Sequence, residues 1–254
     1  YGTLAQVEEL STSAWIDGLS RIETRADLPL TLQGGEPTLA PSFYELTETL
    51  AIQEKHLDLL TNGMFDLRDF CSRISPSIFK RGAKYASIRM SYHVKTNPFA
   101  LAMKAHAMQN AGYDIGVWAI DHPATEVQLL NAEMEELCKQ LNIDFRMKEF
   151  LGVYDGRLHG TYRYKDACFG EHREVYCKPS EFLINPAGQI FRCHADLYAS
   201  RNSIGSILDK EITFPGFSKC DQYGTCNPCD LKTKFNRFQE VGHCAVEIKG
   251  GEVK

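Results

Sequence analysis

The chain has 254 residues, 43% of them hydrophobic and 24% charged, enough for one large core with a smaller annex, and no apolar run approaches membrane-spanning length, so no membrane association is expected. A formal net charge of -5 argues against a nucleic-acid surface, because phosphate recognition rests on basic patches. Nine cysteines, an odd number, without a secretion signal read as thiols of a reducing, cytoplasmic setting rather than a disulfide framework.

Helix and strand patterns alternate from the start, the arrangement of parallel strands joined by crossover helices. Trp15, Ile16, Leu19 and Ile22 make the stripe of a first helix, and residues 28–33 form a strand that runs into Gly34-Gly35-Glu36-Pro37. That loop sets bare backbone and one carboxylate at the carboxyl end of a strand, where α/β proteins bind small ligands. A ligand with an amino-acid head group would lie along the glycine backbone and offer its ammonium to Glu36; an ordinary Gly-Gly turn ahead of a helix is the other reading. Ser42 and Glu45 read as a capping box opening a helix to about Lys55, followed by a strand from His56 to Leu60 that ends in Thr61-Asn62-Gly63. Cys71 reads as a core residue of the next helix. Further strands are expected at Ser87–Tyr92, Asp114–Ile120 and Ile143–Lys148, with helices near 98–111 and 125–142. Thr125 and Gln128 cap the last helix, whose apolar face is Val127, Leu130, Met134, Leu137, Cys138 and Leu141, so Cys138 reads as core.

After about residue 150 the alternation stops and turn residues increase, marking a small separate domain. Glu181–Ile184 and Gln189–Cys193 read as strands joined by Asn185-Pro186-Ala187-Gly188, with proline and glycine at the turn positions that suit them. This hairpin brings Cys193 back toward Cys177, and Cys226-x2-Cys229 completes a set of four thiolates. From spacing alone, four such cysteines in a cytosolic protein more commonly bind structural zinc.

A strand ending in Gly-Gly-Glu-Pro, then alternating helices and strands, then seven of the nine cysteines between Cys168 and Cys244 closely resembles the radical S-adenosylmethionine enzymes of the SPASM/twitch branch, over essentially the whole chain. The resemblance implies a partial (β/α)6 barrel over 1–150 followed by a small cysteine-rich SPASM/twitch domain over 151–254. It implies that Gly34, Gly35, Glu36 and Pro37 bind the methionyl part of S-adenosylmethionine, that Thr61, Asn62 and Ser91 contact its ribose or carboxylate, and that Lys104 is the nearest counterpart of a basic residue that meets the carboxylate. The family's Cys-x3-Cys-x2-Cys loop, which holds the catalytic 4Fe-4S cluster, is not in this sequence; its expected place is just ahead of Tyr1, in an amino-terminal segment missing here. True loss of the loop would instead leave a non-enzymatic metal-binding scaffold.

Cys177-x10-Gly188-x4-Cys193 matches the opening of the SPASM/twitch pattern, and with Cys226 and Cys229 the resemblance implies one auxiliary 4Fe-4S cluster. Cys168, Cys220 and Cys244 are possible further ligands, and a second cluster is the runner-up. The implied chemistry is a 5'-deoxyadenosyl radical that takes a hydrogen atom from substrate, with the auxiliary cluster accepting an electron from the substrate radical. Modification of a ribosomal peptide by crosslinking or a related change is favoured over dehydrogenation of a small hydroxylated molecule such as an aminocyclitol or sugar. A reducing electron donor such as flavodoxin or ferredoxin is the expected partner. Tyr92, His93, Trp118, Arg146 and Glu149, at or near strand ends, are candidate substrate contacts.

Overall fold

The computed structural model describes residues 8–234 and 243–251. It divides into two compact units, one of Glu23–Phe150 and the other of Tyr1–Ile22 with Leu151–Lys254. Helix α1 (Thr12–Ser20), expected with the parallel strands, therefore counts with the cysteine-rich part. Among the described residues no helix is long and apolar enough to cross a membrane.

The unit of Glu23–Phe150 is built on one parallel sheet. Strands β1 (Leu30–Leu32), β2 (Leu57–Thr61), β3 (Ile88–Ser91), β4 (Ile115–Asp121) and β5 (Asp144–Glu149) lie in the order β1-β2-β3-β4-β5, so each neighbour in sequence is a neighbour in space. Parallel neighbours need long crossovers, and helices α2 (Phe43–Ile52), α3 (Leu67–Arg73), α4 (Pro98–Asn110) and α5 (Thr125–Gln140) supply them. On one face of the sheet Leu57, Leu59, Ile88, Met90 and Val117 are wholly buried, each side chain contributing about 1.5–3 kcal/mol of burial. Alternation sends Asp58, Arg89, Trp118 and Arg146 to the other face, where Arg89 pairs in register with Leu60 and Gly116, and Trp118 with Ser91 and Arg146.

Both expected capping boxes are absent. Ser42 already has helical backbone angles (φ -76°, ψ -13°), and its hydroxyl makes no capping bond. Ala124 stands at the cap of α5, while Gln128 Nε2 donates to Asp121 Oδ1 and the His122 carbonyl. The buried stripe of α5 runs through Asn131, Met134 and Cys138, with Asn131 Nδ2 donating to the Ile120 carbonyl at 2.9 Å. Cys138 is core as expected, whereas Cys71 on α3 is only half-buried.

In the other unit, strands β6 (Gly152–Tyr154) and β7 (Arg157–His159) form a hairpin. Strand β8 (Arg173–Pro179) leads to the expected hairpin, β9 (Leu183–Ile184) against β10 (Gln189–Phe191), with Gly188 at φ 74° in the left-handed region. A side chain at Gly188 would also meet Leu10 at 2.5 Å, so glycine is required there twice over. Helix α6 (His194–Tyr198) follows, then β11 (Gly205–Ser206) beside β10, β12 (Ser218–Tyr223), α7 (Pro228–Leu231) and β13 (Val246–Lys249). The central sheet of this unit is antiparallel, in the order β12-β8-β13. Helix α1 packs Gly18 against Ile207, and the Arg21 guanidinium donates to the carbonyls of Ile207 and Asp209.

Candidate functional site

At the carboxyl end of β1 the backbone of Gly34 and Gly35 is exposed, and added Cβ atoms there would meet nothing within 4 Å. Gly34 has φ 139°, which disfavours any side chain. Glu36 faces inward from this open edge. Its Oε1 accepts from Thr38 Oγ1 (2.7 Å), the Thr38 amide (3.3 Å) and Thr61 Oγ1 (2.7 Å), while Oε2 accepts from the Asn62 amide (2.7 Å). The carboxylate thus ties the glycine loop to the end of β2, and its donors are protein groups. Pro37 opens a single 3-10 turn, Pro37–Leu39, capped by the same Glu36 side chain.

The loop after β2 is held from its other side. Thr61 is buried and its Oγ1 accepts from the Gly63 amide, while Asn62 Oδ1 accepts from the Met64 amide. Lys104 on α4 donates to the carbonyls of Gly63 and Phe65, both at 2.7 Å, and its ammonium lies over the Phe65 ring. Burial lowers its pKa, opposed by the charge of Asp66. Lys104 is therefore a strut of this loop, with two of its three protons engaged. Ser91 ends β3, half-buried.

The polar face of the sheet carries groups that periodicity did not single out. Asp58, wholly buried, meets Arg81 Nη2 at 2.6 Å and Arg89 Nη2 at 2.5 Å. Both guanidiniums lie over the Tyr85 ring. Burial pushes the Asp58 carboxyl up, and Arg89 and Arg81 pull it down. Nearby, Arg146 lies over Trp118 and is fixed by Asp144 and the Lys84 carbonyl. Of the other candidate substrate contacts, Tyr92 is buried, whereas His93 and Glu149 are exposed.

In the cysteine-rich unit, Cys177, Cys193, Cys220 and Cys226 line one cavity together with Arg192, Asp196 and Asp230. Cys177, Cys193 and Cys226, three of the four expected ligands, thus line one cavity with Cys220, while Cys229 is not among its lining residues. Strand β12 lies against β8 with Cys220 opposite Val175 and diagonal to Cys177, and Cys177 donates to Cys220. That bond holds Cys177 protonated and brings Cys220 below the usual thiol range, against the effect of burial. Burial pushes Cys193 up and carries Cys226 to about 12. Cys229 sits on α7, where its amide donates to Asn227 Oδ1. Cys168 packs beside the same core, and Cys244, not itself a lining residue, donates to the carbonyl of the lining residue Leu231.

Four thiols around one cavity match a cysteine-ligated group in donor kind and number. Among the described residues no three His, Cys, Asp or Glu side chains converge as a group that could hold a metal ion.

No family model matches the chain, and no curated protein matches it. Among solved structures it is similar to SuiB of Streptococcus suis, with a TM-score of 0.50 and 13% identity over 79% of this chain and 58% of that one. SuiB bound to the precursor peptide SuiA matches with a TM-score of 0.41 and 16% identity, over 58% of this chain and 34% of that one. SuiB bound to S-adenosylmethionine matches at 0.38 and 16%, over 58% and 35%. The chain thus spans between about a third and three fifths of these structures. What it shares with SuiB is the fold: an α/β body built on a parallel sheet.

Proposed function

We propose that this protein is a radical S-adenosylmethionine enzyme of the SPASM/twitch branch that modifies a peptide. The observation that carries the reading is the open Gly34-Gly35 edge, bare of side chains and locked in place by Glu36 at the carboxyl end of a parallel sheet. Such an edge suits the amino-acid end of S-adenosylmethionine, which bonds to main-chain groups and needs close approach. The shared fold with SuiB, a protein solved with S-adenosylmethionine and with a precursor peptide, supports the same reading.

When bound, a reduced iron–sulfur cluster and S-adenosylmethionine supply a radical able to remove a hydrogen atom from substrate. The chain's own residues then have defined tasks. Gly34 and Gly35 hold the methionyl end. Glu36, Thr61, Asn62 and Lys104 keep the two strand-end loops at fixed spacing. Trp118 and Arg146, register partners on the polar face, remain candidate substrate contacts. Cys177, Cys193, Cys220 and Cys226, which line one cavity, would hold an auxiliary 4Fe-4S cluster. A flavodoxin or ferredoxin would supply electrons.

Titration calorimetry with S-adenosylmethionine, comparing the protein with Gly35→Val, tests the proposal. The site has room for the new side chain, so the variant should stay folded and lose binding at least tenfold. A folded Gly35→Val protein with unchanged affinity would refute the assignment.

A further inference from the structure

Arg192 is the one cation among the described residues lining the four-thiol cavity. It is 7% exposed, and its charge is only partly matched. Its Nη2 donates to Asp196 Oδ2 at 2.9 Å, but Asp196 also receives Arg201 Nε at 3.0 Å, so two guanidiniums share one buried carboxylate. Its Nη1 donates to Ser218 Oγ and the Lys219 carbonyl, both just ahead of Cys220 in β12. Cys193 follows it directly in sequence. The other buried carboxylate of the lining, Asp230, is engaged by the amide and ring of His194.

We propose that Arg192 is a positioning and charge-setting residue of the metal centre in this unit, favouring its more reduced, more negative state. The inference rests on the reading that the four thiols hold an iron–sulfur cluster. A cluster ligated by four thiolates gains negative charge on reduction, and cluster potential follows net charge, hydrogen bonding and exposure. A guanidinium excluded from solvent is little screened, and the part of its charge that Asp196 does not match acts on the added electron. Without it, reduction becomes harder. With it, the cluster is a better acceptor for an electron leaving a substrate radical.

The test is a redox titration of anaerobically purified protein, followed by electron paramagnetic resonance, with iron, sulfide and zinc measured on every sample. The 254-residue chain has no Cys-x3-Cys-x2-Cys loop, so its iron signal reports this unit. Arg192→Met, which removes the charge, should keep its iron and need at least a tenfold higher reduced-to-oxidised driving ratio, a fall of about 59 mV for one electron. Arg192→Lys, which keeps the charge, should fall by less. Loss of iron in Arg192→Met with retention in Arg192→Lys also supports the role of charge. Full iron and an unchanged potential in Arg192→Met would overturn the proposal, as would equal loss of iron in both variants, which would make the side chain a brace for β12 only. Zinc, or no iron, in the unmutated protein would overturn the cluster reading itself, before any variant is compared.

Discussion

Glu36→Gln separates two roles for the carboxylate of the glycine loop. In the structure Oε1 takes three donors and Oε2 takes the Asn62 amide. A glutamine oxygen at the Oε1 position keeps the threonine bonds but turns its NH2 toward the Asn62 N–H, donor against donor. Leaving that amide unpaired costs about 1–3 kcal/mol, at the lower end because the site is half-exposed. Loss of charge from the remaining bonds adds about 1 kcal/mol, since hydrogen bonds to ionised groups are roughly twice as strong. The expected loss is about 2–3 kcal/mol, read as a lower urea midpoint at constant slope. Binding of S-adenosylmethionine to the folded fraction should weaken only modestly. A variant within about 0.5 kcal/mol of the unmutated protein that has lost binding would refute this account, because Glu36 would then serve the ligand's ammonium rather than the loop.

Asp58→Ala leaves Arg81 and Arg89 buried without their shared carboxylate and should cost about 3–5 kcal/mol in urea unfolding; a loss under about 1 kcal/mol would show that the triad is not a structural plug. Burial raises Cys138 from 9.0 to about 11, so its contribution is complete below pH 9 and is lost as pH rises through 11. Between about pH 8 and about pH 10.5 the unmutated protein should lose about 2 kcal/mol more than Cys138→Ala, and equal losses in the two would contradict the assignment.

The parallel sheet was legible because Leu57, Leu59, Ile88, Met90, Ile115 and Val117 form short apolar runs separated by helical stripes, and sequence neighbours in such a pattern become spatial neighbours. Local signals served less well where tertiary contacts competed. Gln128 left its capping role for Asp121, and Asn131 entered the buried stripe of α5 because a sheet carbonyl met its amide. Asp58 interrupts an apolar run in β2, a signal for a buried charge whose partners, Arg81 and Arg89, lie well downstream. Linear spacing could not bring Cys220 near Cys177; only the pairing of β12 with β8, which sets Cys220 opposite Val175 and diagonal to Cys177, puts the two thiols together. That pairing had a visible trace: Val175 and Cys177 alternate with the exposed Glu174 and Tyr176.

The most direct test of the central claim is anaerobic turnover of the protein expressed from its complete gene, with S-adenosylmethionine and a strong reductant. The account predicts release of 5'-deoxyadenosine, detected by mass spectrometry, and its loss in Gly35→Val with the fold intact. S-adenosylmethionine left uncleaved by iron-loaded, reduced protein would contradict it.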